Sequence, residues 1–299
     1  MKYIALPDKA VRRLSFYLAM EEYIAHNRPG EDCFFMWQVN PTVIFGRNQL
    51  MENEINFDYV RSHRIEYYRR KSGGGCVYAD FSNIMFSYIT DDFNVSFTFD
   101  RYLQLIAHTL NKLGVKAVAS GRNDITVDGK KVSGNAFYRT SGRSIVHGTM
   151  LFDTNLEDLV LSITPNNEKL ITKGIESVRK RVTNLKEYLD IDIEEFKRFI
   201  RSSLCDHEEC LTQKDIVHIE KIETEYLRDE WILGNNPRYT WIRKGYVPAG
   251  EIEIRLEIKR NHQIDEFSRR LFSRRRNRRI FEQISKRSFH TSVCQPHTR

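Results

Sequence analysis

Leu14, Tyr17, Leu18, Met20 and Ile24 recur at near-helical spacing, which predicts a first helix with one buried face. Phe34 to Val39 and Val43 to Gly46 read as strands broken by Asn40-Pro41, and Ile84 to Thr90 reads as a buried strand. Leu103, Ile106, Ala107, Leu110 and Leu113 mark a helix that Gly114 ends as its C′ residue. Strands are expected across Lys116 to Phe137 and from Ser144 to Phe152. A short helix over Leu156 to Ile163 stops before Pro165, and Asp190 or Asp192 caps a further helix running through Leu204. Lys214 to Trp231 carries another helix. Beyond Gly250 the alternation Glu251-Ile252-Glu253-Ile254-Arg255-Leu256-Glu257-Ile258 is that of an amphipathic strand. Strands dominate the first half and helices the second, without the regular βα alternation of a doubly wound sheet, so the expected class is α+β with a mixed sheet flanked by helices.

Length and charge narrow this picture. The 299 residues suffice for one large domain with a small appendage. No apolar run nears the roughly 20 residues needed to cross a bilayer, and Glu21 and Glu22 interrupt any secretory pattern, so a cytoplasmic protein is expected. Cys33, Cys76, Cys205, Cys210 and Cys294 have no CxxC spacing, which suggests neither a disulfide framework nor structural metal. The net charge of +7 is uneven: residues 259–299 hold twelve Lys/Arg against three acids, so the preceding 258 residues stand at −2. The high pI therefore belongs to the tail.

Two segments carry candidate chemistry. In Arg69-Arg70-Lys71-Ser72-Gly73-Gly74-Gly75-Cys76-Val77-Tyr78, two arginines enter a triple glycine. Bare backbone there lets N–H groups converge on an anion, and guanidinium groups can add charge-assisted bonds to phosphate or carboxylate oxygens. In Gly121 to Ala136, Asp128-Gly129 between β-rich runs signals a tight hairpin that sets Lys131 near the start of the returning strand, close to Gly134.

Together these segments resemble the lipoate–protein ligase A family within the biotin/lipoyl ligase superfamily. The resemblance takes in LSFYLAMEEYI at 14–24, NPTVIFGRNQ at 40–49, RRKSGGGCVY, GRNDI with GKKVSGNA, His147-Gly148-Thr149-Met150-Leu151, KGIESVRKRVTNL at 173–185 and WILGNNPRY at 231–239, and covers residues 1 to about 258. It implies a class II synthetase-like catalytic domain. It also implies an ATP-dependent ligase that activates lipoate to lipoyl-AMP and then acylates a lysine of acceptor lipoyl domains, such as 2-oxoacid dehydrogenase E2 subunits and the glycine cleavage H protein. By this resemblance Lys131 is catalytic and contacts both ATP and lipoate; Arg70, Gly75, Cys76, Val77, Tyr78 and Ala136 contact ATP. His147 borders the lipoyl tunnel, and Asn123 and Asp124 contact Mg2+ or the nucleotide. Trp37, Val43, Ile44, Val77 and Met150 are candidates for the apolar slot. Where many relatives read His-Asp after the Val-Tyr pair, this chain has Ala79-Asp80, with Asn83 retained, which removes one imidazole expected near the adenylate.

The family's C-terminal accessory domain starts here but does not continue recognisably. The expected division is a catalytic domain over 1–242, the start of the accessory domain over 243–262 and an atypical basic tail over 263–299, with a separate accessory subunit as one consequence. Two other activities fit parts of the chain: an ATP-independent octanoyl or lipoyl transferase with Cys76 as nucleophile, and non-specific nucleic-acid binding by the tail. No specific nucleic-acid or membrane partner is expected.

Overall fold

Alternation of side chains along the strands puts one residue on each face in turn, and the protein uses both faces. In the computed structural model the residues described are 1–91, 94–120, 123–163 and 180–233, with the backbone of strands 241–247, 250–258 and 264–270. Gly121, Arg122, residues 173–179, residues 234–240 and the basic stretch 271–299 lie outside the described residues. The chain divides after Pro237 into two compact units.

The first unit is built on an eight-stranded mixed sheet. Its strands are β1 (Lys2–Ala5), β2 (Cys33–Trp37), β6 (Asn83–Thr90), β7 (Ala117–Ala119), β8 (Asp124–Val127), β9 (Lys130–Thr140), β10 (Arg143–Leu151) and β11 (His207–Cys210). They lie in the order β11-β1-β2-β6-β10-β9-β8-β7. Strand β1 pairs in parallel with β11 and β2, and the other pairings are antiparallel. Cys33, Phe35, Trp37, Met85, Ile89 and Ile145 face helix α1 (Leu14–Asn27) and a later helix over Gln213–Tyr226. Phe34, Phe86, Tyr88, Val146 and Met150 face the opposite side, against α4 (Val95–Lys112) and the helix over Ile193–Leu204. This is the α+β layout expected from the sequence.

A second, three-stranded sheet holds β3 (Thr42–Phe45) between β4 (Glu66–Arg69) and β5 (Val77–Ala79). The short helices α2 (Met51–Glu54) and α3 (Phe57–Ser62) and the helix α5 (Leu156–Ile163) belong to its side of the molecule, where Val43, Phe45, Ile55, Val60 and Tyr78 form a separate core. The glycine-rich segment is the link between β4 and β5.

Several local expectations meet their physical reasons here. Asp192, rather than Asp190, caps the helix α6 (Ile193–Leu204), its side chain accepting from the Glu195 N–H. Asp128 and Gly129 both take positive φ, 49° and 76°, as a two-residue hairpin turn requires. The α1 reading needs correction: all residues from Leu14 to Ala25 are buried, because the sheet lies on one side and α7 (Gln213–Tyr226) on another. The expected helix over Lys214 to Trp231 divides into α7 and the one-turn α8 (Asp229–Ile232).

The second unit, Arg238–Arg299, contains an antiparallel sheet of β12 (Trp241–Val247), β13 (Gly250–Ile258) and β14 (Ile264–Arg270), with a bulge between Leu256 and Ile258. The alternating segment is its central strand. Among the described residues no helix is long and apolar enough to cross a membrane.

Candidate active site

Strands β3, β5, β9 and β10, the glycine segment and α1 surround a cavity of about 200 Å³. Gly75, Cys76, Val77, Asn123, Lys131 and Ala136 line it, and so do Arg70 and His147. Its apolar wall is Leu18, Trp37, Ile44 and Met85 together with Val77. Thus two motifs separated by more than forty residues converge because β5 and β9 deliver them to one opening.

Lys131 stands on β9, directly after the hairpin. Its Nζ pairs with Asp124 Oδ1 at 2.8 Å, both side chains remaining about a third exposed, at 35% and 32%. The lysine tip lies against bare backbone, since a Cβ at Gly134 would fall 2.5 Å from Nζ. Asp124, expected at a magnesium or nucleotide contact, is engaged by this ammonium and does not line the cavity. Asn123 is tied back to β9: its Nδ2 donates to the Asn135 carbonyl at 3.1 Å.

The glycine segment is shaped from within by Arg70. Its Nη2 donates to the carbonyls of Gly73 at 2.7 Å and Gly75 at 2.8 Å, its Nη1 to the Ile44 carbonyl at 3.1 Å and its Nε to Ser72 Oγ at 3.0 Å. Burial pulls the guanidinium down to about 10, which leaves it charged at neutral pH. Arg69 is also buried, bonding the carbonyls of Arg47, Gln49 and Ile232. Both arginines therefore spend hydrogens on protein carbonyls rather than standing free as an anion clamp. The loop docks closely on β3: a Cβ at Gly46 would meet the Gly74 carbonyl oxygen at 2.0 Å, so only glycine fits there.

Three expected contacts lie elsewhere. Tyr78 is buried in the core beneath the small sheet, its phenol pushed up by desolvation. Val43 belongs to that same core, one residue out of phase with the cavity-lining Ile44, and Met150 faces α4, one residue out of phase with Thr149. Ala79 is fully buried, and Asp80 accepts the Ser82 N–H while Asn83 Nδ2 donates to the Tyr78 carbonyl, so both hold the β5–β6 turn.

Sequence reasoning missed a buried polar chain at the apolar end. His147 Nδ1 lies 2.9 Å from Glu21 Oε2, and its Nε2 lies 2.7 Å from Ser72 Oγ. Ser87 Oγ donates to Glu21 Oε1 at 2.5 Å and accepts from Trp37 Nε1 at 2.9 Å. The available signal was Glu21 lying three residues from both Leu18 and Ile24, a carboxylate on a buried face.

Residues 14–205 match the family model of the lipoyl protein ligase A/B catalytic domain. The chain is 40% identical over 269 residues to lipoate–protein ligase 1 of Staphylococcus aureus, covering 87% of this chain and 81% of that protein. It is 38% identical over 255 residues to the lipoate-protein ligase LplJ of Bacillus subtilis, covering 81% and 77%. The fold matches the bipartite lipoate protein ligase of Thermoplasma acidophilum, described with its E2 lipoyl domain, with a TM-score of 0.71 and 25% identity over 80% of this chain and 98% of that one. These matches define a protein ligase of the lipoyl class. The chain is a member of the lipoate–protein ligase family.

Proposed function

We propose that this cavity joins lipoate to ATP as lipoyl-AMP and then passes the lipoyl group to a lysine of a lipoyl domain. The observation that carries the reading is Lys131 beside the glycine loop at the polar end of a slot with an apolar wall. Lipoate is an apolar chain ending in a carboxylate. Its tail suits Trp37, Ile44, Val77 and Leu18, which leaves the carboxylate near the ammonium. Attack of a carboxylate oxygen on the α-phosphorus brings two anions together, displacing pyrophosphate. Fixed N–H groups and a cation aimed at the developing charge offset their repulsion.

In this reading Lys131 exchanges Asp124 for the substrate oxygens, and the backbone from Gly75 to Val77 together with Ala136 borders the nucleotide. Mg2+ enters as part of the MgATP substrate. One carboxylate, Asp124, and one amide, Asn123, suit an ion held mainly by phosphate and water, as Mg2+ usually is. The acceptor amine then attacks the carbonyl of the mixed anhydride and AMP leaves; proximity supplies most of that acceleration, and no general base is assigned. Acceptors of the E2 and H-protein kind follow from the same reading.

Incubation with MgATP, lipoate and a lipoyl domain should add one lipoyl group to the acceptor lysine with release of pyrophosphate. Absence of both products would refute the reading. The transferase alternative is disfavoured by the thiol it needs: desolvation pushes Cys76 well above the ordinary thiol range, against the thiolate a nucleophile requires. A Cys76→Ala protein is accordingly expected to keep ATP-dependent lipoylation within about threefold of wild type, the scale of a small packing change. Loss of all acyl transfer in that variant would restore the alternative.

The apolar wall gives a second check. Trp37→Ala should raise KM for lipoate by roughly tenfold or more, as loss of a large aromatic wall predicts. Val43→Ala, which removes a side chain from the separate core of the small sheet, should lower stability and leave that KM nearly unchanged.

A further inference from the structure

The glycine loop and the apolar end of the cavity are joined by one unbroken series of buried hydrogen bonds. Ser72 Oγ accepts from Arg70 Nε, so the serine hydrogen is available to His147 Nε2. His147 then carries its own hydrogen on Nδ1 and donates to the Glu21 carboxylate, whose Oε2 lies at 2.9 Å and whose Oε1, at 3.0 Å, also accepts from Ser87. The polarity runs from Arg70 through Ser72 and His147 to the Glu21 carboxylate, both of whose oxygens lie within reach of His147 Nδ1. Glu21, Ser72, Ser87 and His147 are all buried, so no bulk water can replace a broken link.

The order serine, histidine, carboxylate also occurs in acyl-transfer triads. Ser72 does not fit that role: it is 1% exposed, does not line the cavity, and its oxygen already receives a guanidinium hydrogen. Its place is structural in a directed sense. Among the described residues Ser72 Oγ is the one side-chain acceptor of Arg70, whose other hydrogens gather the carbonyls of Ile44, Gly73 and Gly75.

We propose that Ser72 and Glu21 are positioning residues for nucleotide binding: Glu21 fixes the His147 tautomer, His147 orients Ser72, and Ser72 holds Arg70 in the orientation that shapes the glycine loop. This rests on the ligase reading of the cavity. Its consequence is that a change at Glu21, on the helix behind the apolar wall, weakens the nucleotide. In Glu21→Gln one of the two oxygens within 3.0 Å of His147 Nδ1 becomes an NH2 group whichever way the amide turns, and the carboxylate charge that favours the hydrogen on Nδ1 is lost. The amide NH2 then faces His147 Nδ1, the imidazole hydrogen moves to Nε2, and Ser72 is left accepting twice with its own hydrogen unpaired.

The test is calorimetric binding of MgATP and, separately, of lipoate. Glu21→Gln and Ser72→Ala should each weaken MgATP about tenfold, the effect of one hydrogen bond to a charged group. The double variant should be no weaker than the weaker single one, because both break the same series. Ser72→Ala should bind lipoate within about twofold of wild type, a split that a general loss of stability would not produce. Effects that multiply to about a hundredfold, or a Glu21→Gln protein that binds MgATP like wild type, would overturn the proposal. So would a wild-type His147 that carries its hydrogen on Nε2 in long-range 1H–15N spectra, a measurement independent of any variant. Wild-type protein that binds no MgATP would overturn the ligase reading as well, whereas additive variants on a wild type that binds would overturn this inference alone.

Discussion

Replacing Lys131 by alanine is expected to cut lipoyl-AMP formation about a thousandfold, or ~4 kcal/mol in kcat/KM, the upper range for removing one charge-stabilising donor. Pyrophosphate release with lipoate and MgATP measures this directly. Stability should barely change, because the Lys131–Asp124 pair is a third exposed and such pairs contribute about 0–1 kcal/mol. The combination of an intact thermal transition with a lost adenylation step is what separates a catalytic cation from a structural one. Arginine should not rescue it. The ammonium lies flat on Gly134, where a Cβ would fall 2.5 Å from Nζ, and a planar guanidinium is too wide for that slot. A Lys131→Arg protein with more than about a tenth of wild-type adenylation would contradict the role assigned here.

The central strands β2, β6, β9 and β10, the helices α4, α5 and α6, and the identity of the two converging segments were legible in the sequence, since hydrophobic periodicity and turn residues are local properties, whereas the short strands β1, β4 and β11 and the helices α2 and α3 were not. Asp128-Gly129 places Lys131 in register two residues into β9 with no tertiary information. Other features were not legible, and for physical reasons. Whether Val43 or Ile44 faces the cavity depends on strand phase, which the apolar run Val43-Ile44-Phe45 does not reveal because both faces of the strand are buried. Met150 falls on the wrong face of β10 for the same reason, all nine residues of that strand being buried. Glu21, Ser72 and Ser87 come from three distant segments, and their alignment exists only once α1 packs on the sheet. The α1 helix itself reads as amphipathic, yet α7 covers what would be its outer face.

Arg70 is where sequence and structure assign one residue two different tasks, and a variant tells them apart. A guanidinium that merely waited for phosphate would be under-satisfied in the free protein, and its removal would leave stability unchanged. Here it bonds three carbonyls and a hydroxyl at 94% burial, and the Gly73 and Gly75 carbonyls turn inward to meet it. Peptide planes have two ends, so carbonyls drawn toward Arg70 turn the opposite N–H groups outward, where an anion can take them. Arg70→Ala strands those carbonyls, each at a cost of about 1–3 kcal/mol, partly relieved by water entering the gap. A net loss near 3 kcal/mol is expected, which for a unit of this size lowers Tm by about 6–12 °C. MgATP affinity should fall by more than a hundredfold, because both the loop shape and its positive charge are lost. Arg70→Lys should restore the charge but not the fork, recovering stability in part and nucleotide binding hardly at all. Full thermal stability in Arg70→Ala, with only MgATP binding lost, would instead make Arg70 a direct phosphate ligand and the shape of the loop independent of it.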